Sequence, residues 1–249
     1  MTEFLGTPLW LTIAVGAGFV LDWLAIGCAW LKLKPFTKIL AMTLVVVWTL
    51  VAVGMNFRVT VGLLLLAQIS GLLGDFFLLL PNRYFLWGLR AFFVGHLFYI
   101  GLMVLLFVQG VSAAVLNHLP AWGFGVGVFL WALLMAGYYF IFSPHLRGDG
   151  KERKLWISTT TYVSFLLIVM LFSFALFLLL PDAPRVMIVF PLGGLQFLVS
   201  DGLLAYNRFV RRIRLGQLWV RITYHLGQLG LAIGFVILFR MIAEAVASL

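Results

Sequence analysis

Two aspartates lie inside apolar stretches that are long enough to cross a membrane. Asp75 stands in GLLGDFFLL and Asp201 in VSDGLLAY. An aspartate at the centre of a membrane helix costs about 2.5–3.5 kcal/mol, which a leucine would avoid. Each acid precedes the end of its stretch by five residues, a depth of about 8 Å at the rise of an α-helix. The matched depth predicts one shared interior site; the alternative is that each carboxyl is a structural group bonded to a neighbouring helix.

Two carboxyls in a site of low dielectric suit acid–base catalysis. A carboxyl there can keep its proton at neutral pH, and a second one nearby allows one to act as acid and the other as base. The sequence has no GxSxG, phosphate-loop or HExxH motif, and Ser200 has no histidine at an activating local spacing. We therefore expect the two carboxyls within hydrogen-bond or one-water distance, and a reaction that needs no metal and no cofactor.

Four more polar residues of the apolar stretches are predicted to line the same site. His96 and Tyr99 lie three residues apart, and Tyr224 and Gln228 lie four apart, so each pair occupies one helix face. These side chains could position a water molecule or a carboxyl. Two histidines and two aspartates could also bind zinc, although no spacing matches a known zinc motif. A zinc-dependent lipid hydrolase therefore remains an alternative.

A third acid, Asp22, lies midway along the first apolar stretch. No partner is expected at its depth, so a structural or accessory role is as well supported as a catalytic one. Replacing Asp22 with asparagine should therefore be milder than replacing either of the two matched acids.

The composition is that of a membrane protein. The 249 residues are 64% hydrophobic and 10% charged, with a mean hydropathy of +1.14. Apolar stretches of this length span about 30 Å of hydrocarbon as helices, and they lack the alternation of a membrane strand. We predict an all-α polytopic membrane protein in which residues 1–249 form a single domain. Its eight predicted transmembrane helices cover 9–31, 36–55, 60–80, 86–107, 122–142, 155–180, 186–206 and 222–245.

Basic residues accumulate on one side of the predicted spans. Fourteen of the 17 Lys and Arg residues follow spans 1, 3, 5 and 7, and the other three are Arg58, Arg185 and Arg240. By the positive-inside rule both termini lie outside, and we expect a bacterial inner membrane. The net charge of +9 then serves orientation and contact with lipid headgroups, and no nucleic-acid partner is expected. The predicted cytoplasmic loops are 32–38, 81–90, 143–154 and 207–221.

A weak internal repeat relates the two halves of the chain. Asp75 and Asp201 are 126 residues apart, His96 and His225 are 129 apart, and an Asn-Arg pair follows each aspartate. A four-helix unit repeated in this way keeps its direction, which predicts a parallel repeat. Parallel repeats also occur in transporters, so a proton-coupled transporter is the competing function.

The segments around these residues resemble the YhhN family. They are Lys34-Pro35 at the start of span 2, GLLGDFFLL around Asp75, GLRAFFVGHLFYI around His96, SDGLLAYNRF from Ser200 and TYHLGQLGL from Thr223. The resemblance covers essentially the whole chain in the right order. The family includes mammalian membrane lysoplasmalogenases.

The resemblance implies a hydrolase that cleaves the vinyl ether bond of a lysoplasmalogen. The products would be a fatty aldehyde and glycerophosphocholine or glycerophosphoethanolamine, and the partners would be this lysophospholipid and membrane lipids; the oligomeric state is left open. Asp75 and Asp201 would be the catalytic acid and base, in an order that the sequence leaves open. The residues that would position or bind the substrate are His96, Tyr99, Tyr224, Gln228, Lys34, Asn207 and Arg208.

The charge bias predicts the orientation of the chain. A cysteine placed at position 117 should react with a membrane-impermeant reagent added from outside, whereas one at position 149 should not, because loop 143–154 is cytoplasmic. The reverse labelling pattern would overturn both the orientation and the cytoplasmic location of the site.

Overall fold

Within its described residues the protein is a bundle of eight helices, each long and apolar enough to cross a membrane. The computed structural model describes residues 3–54, 58–108, 121–179 and 184–247, so position 117 lies outside the described residues. A hairpin of two short strands, β1 (Glu3–Phe4) and β2 (Thr7–Pro8), precedes the first helix. The helices confirm the predicted all-α polytopic fold. They are α1 (Leu9–Gly27), α2 (Lys34–Val53), α3 (Val59–Leu79), α4 (Phe85–Leu106), α5 (Ala121–Leu146), α6 (Lys151–Leu179), α7 (Val189–Phe209) and α8 (Gly216–Ala247).

Several helices begin earlier than predicted, at their basic ends. α2 begins at Lys34, α6 at Lys151 and α8 at Gly216, each two or more residues before the predicted start. Long basic side chains extend to the headgroups while their backbone stays helical, so charges do not mark the end of a helix. Pro35, in the first turn of α2, also fits a helix start because its missing N–H needs no partner there.

Helix α8 is the centre of the bundle. It packs closely against α7 and also contacts α1, α2 and α3. Over half of its membrane-spanning window, 56%, is buried in the protein, against 11% for α5 at the periphery. The main apolar core lies between α3, α4, α6, α7 and α8, and a second core joins α1 and α2 to α8. Polar groups on α8 can therefore reach acids on helices from both halves of the chain.

Glycines let the α3–α4 and α7–α8 hairpins pack most closely. A β-carbon at Gly193 on α7 would lie 2.6 Å from the backbone nitrogen of Leu231 on α8, and one at Gly74 on α3 would lie 2.7 Å from the ring of Phe92 on α4. Small residues at helix contacts permit such approach in membranes. These two hairpins are the ones that the predicted repeat relates, and the repeat itself stays a prediction.

Gly193→Ala should destabilise the protein because its methyl group would meet backbone rather than a movable side chain. Overpacking of this kind typically costs about 1–3 kcal/mol. Gly101→Ala is the matched control, because nothing lies within 4 Å of its β-carbon position. Thermal unfolding in detergent should show a lower midpoint for Gly193→Ala and no loss for Gly101→Ala. Equal midpoints for the two variants would show that the α7–α8 contact is not limited by backbone packing.

Candidate active site

Asp75 is the acceptor in a buried ion pair. Its side chain on α3 is 2% exposed; Lys38 Nζ lies 2.7 Å from Oδ1, and the Tyr224 hydroxyl donates to Oδ2 at 2.8 Å. A buried ion pair is stable only when the geometry is good and the remaining lone pairs are hydrogen-bonded. Both carboxylate oxygens of Asp75 have such a partner, Lys38 at Oδ1 and Tyr224 at Oδ2. The orientation of Asp75 is therefore fixed from α2 and α8 at once.

Lys38 was assigned by sequence to a cytoplasmic loop, and the structure corrects this. α2 begins at Lys34, which puts Lys38 inside the helix with a side chain that is 6% exposed. The signal was present in the sequence: Pro35 favours a helix start, and an apolar run continues beyond Lys38.

Asp201 has a different setting from Asp75. The hydroxyl of Tyr162, on α6, donates a hydrogen bond to Oδ2 of Asp201, on α7. Among the described residues no Lys, Arg or His forms an ion pair with Asp201. Its side chain is half-buried and lines a pocket, so one carboxyl of the site is accessible and without a cation in contact. Sequence reasoning missed Tyr162 as a partner because α6 and α7 meet only in the folded bundle.

The pocket beside Asp201 is apolar over most of its wall. Its cavity volume is about 40 Å³, and it lies among the neighbouring ends of α3, α4, α5, α6 and α7. Its polar lining is Asp201, Tyr162, Tyr138 and Thr159, and the Tyr138 hydroxyl donates to Thr159 Oγ1 at 2.9 Å. The rest of the lining is aliphatic or phenylalanine, as in Leu89. This composition suits a hydrocarbon chain with one polar end.

His96 is buried beside this pocket with one ring nitrogen free. Its Nδ1 donates to the Phe92 carbonyl at 2.6 Å, and its Nε2 has no hydrogen-bond partner among the described residues. Because Nδ1 carries the hydrogen, Nε2 is an acceptor in the neutral ring. The ring stacks on Phe197 at 5.2 Å and meets the Tyr162 ring edge-on at 5.1 Å. A buried unpaired acceptor in this position can receive a hydrogen bond from a bound water or ligand.

The two carboxyls do not bond to each other, as judged from the part of the chain described. Each accepts a hydrogen bond from its own tyrosine, and a series of ring contacts through His96 and Phe197 connects these two tyrosines. Phe197 contacts Tyr224, with ring centres 5.6 Å apart, and also stacks on His96. No direct hydrogen bond joins the two carboxyls among the described contacts, and the one-water separation that the sequence also allows stays a prediction.

Tyr99 and Gln228 bond to each other instead of to a carboxyl. The Tyr99 hydroxyl donates to Gln228 Oε1 at 3.2 Å, and the Tyr99 ring stacks on Phe235 at 5.6 Å. Both side chains are buried. Gln228 lies beside Gly71, one helical turn from Asp75, and so this pair joins α4 to α8 next to the site.

The expectation that Asp22 has no partner is wrong. Thr37 donates to its Oδ1 at 2.7 Å and Arg221 donates to its Oδ2 at 2.8 Å, and Asp22 is fully buried. Asn at this position would leave the Arg221 charge without its anion, so the mild effect predicted for Asp22→Asn no longer follows. Since Thr37 precedes Lys38, the contact also fixes the turn of α2 that carries Lys38.

His225 belongs to this second network. The Trp23 indole donates to His225 Nδ1 at 3.1 Å, and His225 Nε2 lies 3.8 Å from Asp22 Oδ2. The ring stacks on Phe19 with centres 4.6 Å apart. Among the described residues, no group of three or more His, Cys, Asp or Glu side chains could hold a metal ion. Zinc sites in proteins use three or four such ligands.

The predicted headgroup residues lie at the same end of the bundle but have separate contacts. Arg208 is exposed, with its guanidinium 3.7 Å from the centre of the Phe85 ring, and Phe85 lines the pocket. Asn207 accepts the backbone N–H of Ile213 at 2.7 Å and thereby closes the turn before α8. Lys34 is half-buried in the first turn of α2. Of the three, Arg208 is the one that the structure brings to the pocket rim.

Comparison with known families adds one result to this geometry. The model of the YhhN family matches residues 33–235. The chain belongs to the YhhN family. The matched range contains both acids, Lys38, Tyr162 and Tyr224, whereas Asp22 precedes it. No curated protein and no solved structure matches the chain of this YhhN-family protein.

Lys38→Met should destabilise the fold because it leaves Asp75 as an unpaired buried charge, a loss that typically costs about 3–5 kcal/mol. Adding Asp75→Asn should recover part of this loss, because the double variant buries no charge at the site. Thermal unfolding of the two single variants and the double variant would measure this coupling. Lys34→Met is the control for removing a nearby lysine. Additive effects of the two substitutions would show that the pair does not interact.

Proposed function

We propose that this protein is a membrane hydrolase that cleaves the vinyl ether bond of a lysoplasmalogen, releasing a fatty aldehyde and a glycerophospho-alcohol. The main support is the difference between its two carboxyls. Asp75 is held as an anion by Lys38 and Tyr224, whereas Asp201 has no cation in contact among the described residues and lines an apolar pocket. Vinyl ether hydrolysis needs a proton donor, an anion near a developing cation and a base for water.

Asp201 is the proton donor in this proposal. Tyr162 bonds its Oδ2, which leaves Oδ1 to carry and deliver a proton. The alkenyl chain of the substrate lies along the apolar wall, with its ether oxygen near the polar lining of Tyr138 and Thr159. Arg208 at the rim faces the phosphate of the headgroup, since a guanidinium pairs well with phosphate oxygens.

The reaction then proceeds in three balanced steps. Asp201 transfers its proton to the vinyl carbon farther from the ether oxygen, and the C=C electron pair forms that C–H bond, leaving an oxocarbenium ion. Water adds to the cationic carbon and loses a proton to the Asp201 carboxylate, which gives a hemiacetal. The hemiacetal then collapses: its carbon–glycerol oxygen bond breaks, the leaving oxygen gains a proton from Asp201 and the hydroxyl returns one. The sum is substrate plus water to aldehyde plus alcohol.

Asp75 and His96 support these steps without exchanging the proton. The carboxylate of Asp75 favours the cationic intermediate, and Lys38 keeps this carboxylate oriented. His96 Nε2 is an acceptor with no protein partner in the described structure, so the attacking water can donate one hydrogen bond to it. The rings of Phe197 and Tyr162 limit the positions that this water can occupy.

Two other functions stay open as alternatives. A proton-coupled transporter would also contain a buried Lys–Asp pair, because intramembrane ion pairs are typical of proton pathways. It would move an unaltered substrate with a proton flux, whereas the hydrolase releases aldehyde. A zinc-dependent hydrolase would lose turnover with a chelator and regain it when zinc is added.

The test is mass spectrometry of lysolipids incubated with the purified protein. We expect aldehyde from the vinyl ether lysolipid and none from the saturated ether analogue, with unchanged rates after chelator treatment. In heavy water the aldehyde should carry one deuterium on the carbon next to the carbonyl, because that carbon receives the acid proton. Unaltered vinyl ether lysolipid after incubation would reject the proposal.

Asp201→Asn and Asp75→Asn should each lower the rate by about 10²–10⁴-fold, the usual effect of losing a positioned acid or its partner. The double variant should be little worse than the poorer single one, since the residues act as a unit. Asp149→Asn, the same change in an exposed loop, is the matched control. Near-normal turnover of both single variants would show that the acids are structural.

A further inference from the structure

A second pocket lies at the opposite end of the bundle from the candidate active site. It is formed where α2, α4 and α8 end and α3 begins, and its cavity volume is about 550 Å³. Thr60 in its wall and Asp75 are fifteen residues apart on α3, which is about 22 Å along a helix. The pocket is thus separate from the site that holds the carboxyls.

Arginines converge on this pocket. Arg58 and Arg240 both line it, and they are two of the three basic residues that the sequence assigns to this side of the membrane. Arginine is disfavoured on this side by the positive-inside rule, so two in one pocket call for an explanation. Neither forms an ion pair among the described residues, and none of the described lining residues is acidic. The described lining of the pocket therefore carries two positive charges and no negative one.

Donors other than the arginines face the same space. The Thr60 side chain is 8% exposed, lines the pocket, and its hydroxyl has no hydrogen-bond partner among the described residues. α3 begins at Val59 without a side-chain cap, and Val59 and Val61 also line the pocket. The first backbone N–H groups of a helix lack partners within the helix and carry the positive end of its dipole.

The turn of the N-terminal hairpin lies against Arg240. Gly6, in the turn between β1 and β2, has a φ of +67°, and a β-carbon there would lie 2.6 Å from Nη2 of Arg240. Any other residue at position 6 would therefore meet both backbone strain and the guanidinium. The exposed guanidinium of Arg240 thus lies next to the hairpin turn at the edge of the pocket.

We propose that this pocket binds a phosphate group through Arg58, Arg240, the Thr60 hydroxyl and the first-turn amides of α3. Two guanidinium groups and a hydroxyl match the several oxygens of a phosphate, and guanidinium groups bind them in pairs. The phosphate belongs either to a lipid headgroup or to a small soluble ester. This site is independent of the proposed hydrolase activity and occupies the other membrane face.

The experiment measures binding to the purified full-length protein in a neutral detergent by isothermal titration calorimetry. The probes are inorganic phosphate, glycerol 3-phosphate and dihexanoyl phosphatidic acid, with dihexanoyl glycerol as the probe that lacks phosphate. Saturable binding of all three phosphates supports a site for free phosphate, and binding of the lipid phosphate alone supports a headgroup site. Binding of dihexanoyl glycerol as tight as that of the phosphatidic acid overturns the proposal, as does an absence of binding by every phosphate probe.

Variants connect the binding to the pocket. Arg58→Gln and Arg240→Gln should each weaken phosphate binding at least about tenfold, the usual effect of losing a charge-assisted hydrogen bond. Thr60→Val keeps the shape of the side chain and should weaken binding by a smaller factor. Arg185→Gln removes a charge on the same side from a residue that is not among the pocket lining, and it should bind normally. Equal affinity in the wild type, Arg58→Gln and Thr60→Val would reject the site even if Arg240→Gln fails to fold.

Discussion

The contact on which the rest of the structure depends is the buried ion pair of Lys38 and Asp75. In a medium without water, a charge must find its partner within the protein, and this requirement fixes α2 against α3. The Tyr224 hydroxyl, on α8, donates to the same carboxylate. Asp22, on α1, accepts hydrogen bonds from Thr37 on α2 and from Arg221 on α8. Four helices thus meet through polar contacts whose geometry apolar packing alone would not specify.

The arrangement divides the polar groups into two networks with different exposure. Asp22, Thr37, Arg221 and His225 are linked at the second core and have little contact with solvent. Asp201 instead opens onto a pocket whose walls are apolar. The charges of Asp22 and Arg221 are therefore paired inside the bundle. The Asp201 carboxyl, by contrast, has a pocket beside it, as acid catalysis on a lipid would require.

The sequence was sufficient for the parts of the fold that local chemistry determines. Length and hydropathy predict eight helices, and the described structure has them; the shared site that the matched depth of Asp75 and Asp201 predicts stays a prediction. The partners of these acids were not predictable in the same way. Tyr162 and Asp201 are on different helices, so their pairing depends on how α6 and α7 cross. Lys38 was missed for another reason: it lies where the predicted loop 32–38 overlaps the predicted span 36–55, and its charge was assigned to the loop although its side chain is buried. Asp22 was misjudged because its partner Arg221 was assigned to a loop.

The peripheral helix α5 has a consequence for how a lipid would reach the pocket. α5 contributes Tyr138 and Leu146 to the pocket wall, yet only 11% of its membrane-spanning window is buried against the protein. The part of the pocket wall that α5 forms is therefore the part least packed against the rest of the protein, and it faces the bilayer. A lysolipid entering on this side comes by lateral diffusion in two dimensions. Its turnover would then follow the mole fraction of substrate in the membrane, and dilution with inert lipid would slow the reaction at a constant bulk concentration.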